Sequence, residues 1–396
     1  MKVLVLNSGS SSLKFAVVDT NIQCNLLSGV VERLNTGHGC IQASYNQLPY
    51  KKDLDQPNHK TALKEVLEYL ELNNITENFF DAIGHRVVHG GEKFTQAQLI
   101  CSRVLKEIES CIPLAPLHNQ ANLEGIYAAQ SFFPNKPQVA IFDTSFHQTI
   151  PQRAYRYSLP KELYTDHGVR KYGFHGSSHR YVASIAAMKL HKPVEKCCII
   201  TAHLGNGCSA TAIKYGKSID TTMGLTPLEG LVMGTRCGSI DPGLHEYLHD
   251  KLGWNLSQIN HVLNKKSGLL GISQLSSDMR EVTNAAKEGH DDSKLATEIF
   301  SYHLAQAIAS LSVNFHDLDA LVFTGGIGEH STTIRAITMS MLRILGFELD
   351  VIRNDNDGKY SNGIITTDST TPRAFVIPTN EELQIAWDVE TTLKSS

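Results

Sequence analysis

The sequence predicts an α/β protein built from two related halves. Strand-like apolar runs alternate with helix-periodic segments along most of the chain, the alternation that gives sheets covered by helices. Two polar turns match each other about half a chain length apart. Leu6-Asn7-Ser8-Gly9-Ser10-Ser11 aligns with Leu204-Gly205-Asn206-Gly207-Cys208-Ser209, Gly9 falling on Gly207, and each turn lies between two strand-like runs. A chain of 396 residues is long enough for two domains of about 100 to 200 residues each.

Taken in order, residues 2–6 form a β-branched and leucine run closed by Asn7, Ser8 and Gly9, and residues 13–18 form another, so the start reads strand, polar turn, strand. Leu63, Val66, Leu67 and Leu70 fall at i, i+3, i+4 and i+7 and predict an amphipathic helix over 61–73. A strand follows at 82–88, a helix near 119–131, a strand at 138–142, a helix at 179–190 and a strand at 196–203. Residues 211–216 read as a further strand. Later come a long helix at 294–315, a strand at 320–323, a helix at 331–345, a strand at 374–377 and a helix from Glu381. Residues 355–371, rich in Asn, Asp, Ser, Thr and Gly, read as turns or a short hairpin.

Composition excludes several classes. Hydrophobic residues make up 41% and charged residues 19%, ordinary for a globular protein. Lys plus Arg is 36 against 40 Asp plus Glu, a net charge of −4 with no global attraction for nucleic acid, so an anionic ligand needs local positive groups. Apolar runs such as 197–200 and 320–323 fall far short of the roughly 20 residues of a membrane span, and no membrane role is expected. The run at 3–6 passes straight into Asn7, which does not read as a cleavable leader. The eight cysteines contain no C-x-x-C pair and read as reduced thiols of a cytoplasmic protein.

The Gly, Ser and Asn turns expose backbone N–H groups that suit phosphate oxygens, and Lys14 adds charge beside the first. With Gly325-Gly326-Ile327-Gly328 after the strand at 320–323, three glycine turns could surround one nucleotide, although strand-ending turns are commonly rich in such residues. Gly216-Lys217-Ser218 is not a Walker A loop, because Thr211 stands where its first glycine would be. Gly205 to Ala210 fits G-x-G-x-x-A but leads into a strand, not a helix. His245-Glu246-Tyr247-Leu248-His249 matches H-E-x-x-H, a zinc peptidase alternative whose third ligand would have to be Glu281 or Glu288.

Arginine holds carboxylate or phosphate bidentately. Arg86 lies in His85-Arg86-Val87-Val88-His89-Gly90-Gly91, and Arg236 in Met233-Gly234-Thr235-Arg236-Cys237-Gly238. Asp143 and Glu381 are hard-oxygen groups suited to magnesium; their plainer readings are a strand-end turn and the acidic first turn of a helix capped by Thr379 or Asn380. His175 and His179 could be a metal pair, but the Gly and Ser between them suit a hydrogen-bonding turn better.

Together these segments resemble the acetate kinase family of the sugar kinase, Hsp70 and actin superfamily. Asn7-Ser8-Gly9-Ser10-Ser11-Ser12-Leu13-Lys14 matches one family signature, and His203-Leu204-Gly205-Asn206-Gly207 with Ser209 matches another. Residues 85–91, 113–119, 142–147, 172–177, 226–230 and 378–383 also match, in order. The resemblance implies a duplicated actin-like ATPase (ribonuclease H-like) fold of two domains with a central cleft. The first would be 1–147 completed by 381–396, and the second 148–380.

It further implies reversible, magnesium-dependent phosphoryl transfer from ATP to acetate, with manganese as an alternative ion and propionate or another short carboxylate as an alternative acceptor. A non-catalytic ATP-dependent binding module is the rival from another class. Asn7 and Glu381 would hold magnesium, while Lys14, Asn206 and Gly207 meet the ATP phosphates together with His203, Leu204 and Gly205. Arg86 and Arg236 would grip the carboxylate and the transferring phosphoryl group, His175 would stabilise the transition state, and Asp143 would be the active-site acid. Val88, Leu117, Phe174 and Pro227 would form the methyl pocket; Asp278, Met279, Arg280, Gly326, Ile327, Gly328, Glu329 and His330 would line the adenosine side. A homodimer is the implied assembly. The sequence departs from the family pattern at His330, Ser239 and Cys237, where Asn, Asp and Ser are common.

Overall fold

The computed structural model describes residues 1–9 and 11–395, with Leu117 described by its backbone alone, so Ser10 of the first turn and the Leu117 side chain lie outside the described part. The chain divides into two compact units, Met1–Gln148 with Asn380–Ser396, and Thr149–Thr379.

Among the described residues, unit 1 carries an eight-stranded sheet. Its strands are β1 (Lys2–Ser8), β2 (Ser12–Asp19), β3 (Cys24–Glu32), β4 (His38–Tyr45), β5 (Leu48–Asp55), β6 (Ala82–Val87), β7 (Gln98–Leu99) and β8 (Gln138–Phe142), in the order β5-β4-β3-β2-β1-β6-β8-β7. β1 pairs antiparallel with β2 and parallel with β6, and β6 pairs parallel with β8. Val3 to Leu6 and all of β8 are buried, as expected of central strands covered on both faces. β3, β4 and β5 extend the sheet as an antiparallel meander. They were not legible in the sequence because few of their residues are buried; β5 buries one, Leu54. Their place comes from pairing with a neighbour rather than from an apolar pattern of their own.

The helix at His59–Leu72 begins at a capping box between Asn58 and Thr61 and buries Ala62, Leu63, Val66, Tyr69 and Leu70. The helix at Pro116–Phe132 starts earlier than its periodicity suggested, with proline in its first turn. The helix at Glu381–Lys394 buries Leu383, Ile385, Ala386 and Val389. It lies so close to β6 that a Cβ at Gly84 would stand 2.9 Å from both Ile385 and Val389, an approach only glycine permits.

Unit 2 repeats the central pattern with β9 (Cys198–Leu204), β10 (Cys208–Lys214), β11 (Lys217–Thr221), β12 (Ala320–Thr324) and β13 (Arg373–Val376), in the order β11-β10-β9-β12-β13. β9 and β10 form the hairpin equivalent to β1 and β2, and β9, β12 and β13 run parallel as β1, β6 and β8 do. Both matched turns therefore sit at hairpins after the first strand of a sheet, which is the duplicated two-domain α/β architecture of the actin-like ATPases. The glycine cluster after β12 is not a turn, as its composition suggested, but a short helix, Gly325–His330. The expected helix at 331–345 divides into Thr332–Met341 and a 3-10 turn at Arg343–Leu345.

Candidate active site

In unit 1, strand register assembles the site. Asn7 on β1 pairs with Lys14 on β2 and with Arg86 on β6, so the three stand in one row across three strands. Directly paired residues share a sheet face. Asp143 follows β8, and its backbone N–H donates to the Val87 carbonyl at 3.0 Å. The Arg86 guanidinium meets the Asp143 carboxylate bidentately, Nε to Oδ1 at 2.9 Å and Nη2 to Oδ2 at 2.7 Å, the geometry in which planar fork matches planar carboxylate. Glu381 Oε2 lies 3.5 Å from Arg86 Nε. Burial alone would lower the Arg86 pKa, but Asp143 and then Glu381 hold it above its ordinary value. Asp143 is 2% exposed; burial pushes its carboxyl up, and Arg86 opposes that.

The strand end carrying Arg86 is stitched by amides. Asn122 accepts from Val88 N–H at 2.9 Å and donates to the Ser8 carbonyl at 2.6 Å, joining the ends of β6 and β1. Asn119 accepts from His89 N–H at 3.1 Å and donates to the His89 carbonyl at 2.9 Å. His85 and His89 are held by burial near a pKa of about 4 and are neutral at pH 7. Val88 is half-buried and Lys14 exposed; among the described residues Lys14 forms no ion pair.

Unit 2 gathers a second group around the β9–β10 turn. Gly205 N–H donates to the Gly207 carbonyl at 3.1 Å, and Gly234 N–H to the Asn206 carbonyl at 3.1 Å. Gly325 has φ of 75°, and a Cβ there would stand 2.8 Å from the Leu204 carbonyl oxygen, so only glycine lets the segment after β12 close on this turn. Arg236 donates from Nη1 to the Pro227 carbonyl at 3.0 Å and lies 3.6 Å from Met233 Sδ. Among the described residues no carboxylate pairs with it, and burial lowers its pKa. A Cβ at Gly207 would meet Arg236 Nη1 at 3.4 Å and His175 Nε2 at 3.5 Å, so both nitrogens border the same small space.

His175 is the left-handed N-cap of the helix at Gly176–Lys189. That helix starts earlier than expected because its first residues, Gly176, Ser177 and Ser178, carry no apolar period. The His175 and His203 rings stack at 4.3 Å. Phe174 is buried and Pro227 half-buried.

A cavity of about 700 Å³ in unit 2 is lined by Gly205, Asn206, Asp278, Met279, Arg280, Gly326, Ile327 and His330, all singled out from the sequence. His203, Leu204, Gly207, Gly328 and Glu329 do not line it. The Glu329 carboxylate instead accepts from Gly325 N–H at 2.9 Å and Thr379 N–H at 3.2 Å. Ser277, Thr283, Asn284, Lys287, Ser331, Thr332 and Thr333 also line the cavity and were missed. The signal for several of them was Asp278, which caps the helix at Met279–Lys287 by accepting from Arg280 N–H at 2.8 Å; with Glu281 three residues on it forms a helix-start pattern.

Asn7 and Glu381 both flank Arg86 and offer one amide and one carboxylate oxygen. That donor chemistry fits magnesium, which takes few protein oxygens and fills its octahedron with water and phosphate. The zinc alternative is overturned. His245 and His249 lie on a helix that buries none of its residues. Among the described residues no cluster of three His, Cys, Asp or Glu could hold a metal ion. Ser239, one of the three departures, accepts from Gly230 N–H at 3.1 Å and closes the loop that carries Arg236.

Comparison with known proteins finds likenesses over nearly the whole chain. The chain is 51% identical over 387 residues to acetate kinase 2 of Neisseria meningitidis serogroup A, covering 98% of this chain and 97% of that one. Among solved structures, a propionate kinase from Francisella tularensis superimposes with a TM-score of 0.93 at 47% identity, covering 98% of both chains. An acetate kinase from Porphyromonas gingivalis does so with a TM-score of 0.93 at 40% identity, covering 99% of both. The acetokinase family model matches residues 2–387, and the chain belongs to that family.

Proposed function

We propose that the chain transfers the γ-phosphoryl group of magnesium-bound ATP to acetate, forming acetyl phosphate and ADP, and catalyses the reverse. As an acetokinase it is a phosphotransferase with a carboxyl acceptor. Arg236 carries the mechanistic reading: a largely buried guanidinium without a carboxylate partner among the described residues, bordering one space with His175, is built to receive an anion.

Acetate is already ionised at pH 7, so the nucleophile needs no general base. The barrier is repulsion between two anions, and the remedy is positive charge and N–H groups fixed where charge develops. In this reading Arg236 and His175 hold the transferring phosphoryl group and Arg86 orients the carboxylate. Asp143 orients Arg86 rather than taking a proton, a role its bidentate bond supports. Lys14 and the Asn206-Gly207 backbone meet the ATP phosphates, and adenosine occupies the cavity beside Asp278, Met279 and Arg280. Magnesium, or manganese, is held by Asn7 and Glu381 and when bound neutralises phosphate charge.

A second reading, a propionate-preferring kinase, is favoured by the Francisella structure. Acyl length would be set by Val88, Leu117, Phe174 and Pro227, and one methylene in an apolar pocket is worth only about 1–3 kcal/mol. We further propose a homodimer in the cytoplasm; no helix among the described residues is long and apolar enough to cross a membrane. The test is hydroxylamine-trapped acyl phosphate formation with ATP and magnesium, comparing acetate, propionate and butyrate at equal concentrations. Acetate should give the strongest signal. A stronger propionate signal establishes the second reading, and no signal with any acid from folded protein overturns both.

A further inference from the structure

Behind His175 runs a file of buried side chains that the reaction as proposed does not use. Thr201 on β9, Ser209 on β10 and His179, one helical turn after His175, are each 0% exposed. Thr201 Oγ1 lies 2.7 Å from His179 Nδ1, His179 Nε2 lies 2.8 Å from Ser209 Oγ, and Ser209 Oγ lies 2.9 Å from His175 Nδ1.

A hydroxyl has one hydrogen to give, and a neutral imidazole one donor and one acceptor nitrogen. With both rings neutral, Ser209 either donates to one ring, and the file runs in one of two directions, or accepts from both, and its own buried hydrogen then finds no acceptor among the described residues. In the first direction, Thr201 donates to His179 Nδ1, His179 Nε2–H donates to Ser209, and Ser209 donates to His175 Nδ1. Every hydrogen in the file then has an acceptor. In the second, each bond is reversed, and the Thr201 hydroxyl accepts from His179 while its own hydrogen finds no acceptor among the described residues. A buried donor left without an acceptor loses its water and gains nothing in return, so the first direction prevails. It leaves His175 with a bare Nδ1 and a hydrogen on Nε2. That nitrogen borders the Gly207 space beside Arg236 Nη1.

The geometry points to Thr201 as a positioning residue that, through His179 and Ser209, fixes His175 as the Nε2–H tautomer, a neutral hydrogen-bond donor to the anion held by Arg236. The inference rests on the proposed role of His175. Neutral imidazole is the suitable form because it adds a directed N–H beside a permanent cation without needing a proton from solvent.

The test is the two-bond proton–nitrogen spectrum of the full-length protein with 15N-labelled histidine at neutral pH, His175 being assigned by its loss in His175→Gln. Wild type and Thr201→Ser should both show His175 protonated on Nε2 alone. Thr201→Val, which keeps the shape and removes the hydroxyl, should move His175 toward a tautomer mixture. It should lower kcat about tenfold or more while the KM values for ATP and acetate stay within about twofold. Thr201→Ser should restore both. A proton on His175 Nδ1 in wild type, or an unmoved tautomer in Thr201→Val, overturns the proposal. If Thr201→Val does not fold, Ser209→Ala cuts the same file, and an unmoved His175 tautomer there is equally decisive. Folded wild type that makes no acyl phosphate overturns the reaction, and the tautomer result still stands or falls by itself.

Discussion

The two units carry the same arrangement of strands around the same kind of turn, yet they place their arginines in opposite electrostatic states. Arg86 is held by Asp143 bidentately and approached by Glu381, whereas Arg236 has a backbone carbonyl and a thioether. The first has its charge compensated by the protein and is fixed in direction. The second has no carboxylate beside it among the described residues, and the fold bears the cost of a largely buried cation that no acidic side chain offsets there. The frames are equivalent but the arginines are not: Arg86 stands on β6, while Arg236 stands on the loop after β11 and not on the counterpart strand β12, and packing gives only the first a carboxylate partner among the described residues.

The sharpest way to break this comparison is Arg86→Ala. It should abolish most activity and also destabilise the protein by about 3–5 kcal/mol, because Asp143 is left buried and unpaired. Adding Asp143→Asn should restore much of the stability and none of the activity. Urea unfolding checks the first effect, and a wild-type midpoint for Arg86→Ala would show the pair to be immaterial to folding.

Arg236→Ala should have the converse signature. Turnover should fall by about 10²–10³, roughly 3–4 kcal/mol of transition-state stabilisation, while the unfolding midpoint stays put or rises. Activity within about threefold of wild type would remove Arg236 from the chemistry.

A third measurement concerns pH and unit 1 alone. His85 and His89 have pKa values lowered by burial from 6.5 to about 4. The unfolded chain binds these protons first, so their stability is full above pH 6.5 and is lost as pH falls toward 4. The loss amounts to about 3 kcal/mol for each histidine. Unfolding midpoints between pH 7 and 4.5 should fall with the uptake of about two protons from these sites, and a flat profile would contradict their neutral burial. The smallest effect is expected from Gly207→Ala. The new methyl would meet Arg236 and His175 at ordinary contact distance, so stability should change by less than about 1 kcal/mol. Occupying the anion's space should raise KM several-fold.

Those contrasts also show what the sequence could disclose. The alternation of β1, β6, β8, β9 and β12 with helices was legible because buried central strands are rich in apolar residues, in runs such as Val3 to Leu6, Val139 to Phe142 and Ala320 to Phe323. β3 to β5 were not, since a strand such as Leu48-Pro49-Tyr50-Lys51-Lys52-Asp53-Leu54-Asp55 buries one side chain and owes its conformation to its neighbour. Arg86 and Asp143 were each picked out by type and setting. Their bond was invisible, because parallel pairing of β6 with β8 is what closes the 57 positions between them. That no carboxylate stands beside Arg236 among the described residues is likewise a property of what packing leaves out. Asp278 was flagged, but the reach of its helix to Thr283 and Lys287 along the cavity needed the helix itself.

The helix at Glu381–Lys394 carries a consequence for biosynthesis. Unit 1 is interrupted by the whole of unit 2, so on the ribosome its sheet emerges long before the helix that covers Gly84 and carries Glu381. At about 5–20 residues per second that delay lasts on the order of tens of seconds. During it an apolar sheet face stands open to any sticky neighbour, while unit 2, continuous in sequence, has no such wait. The nascent protein is thus most vulnerable in its first half, and it acquires the Glu381 carboxylate beside Arg86 in the same step that seals that face.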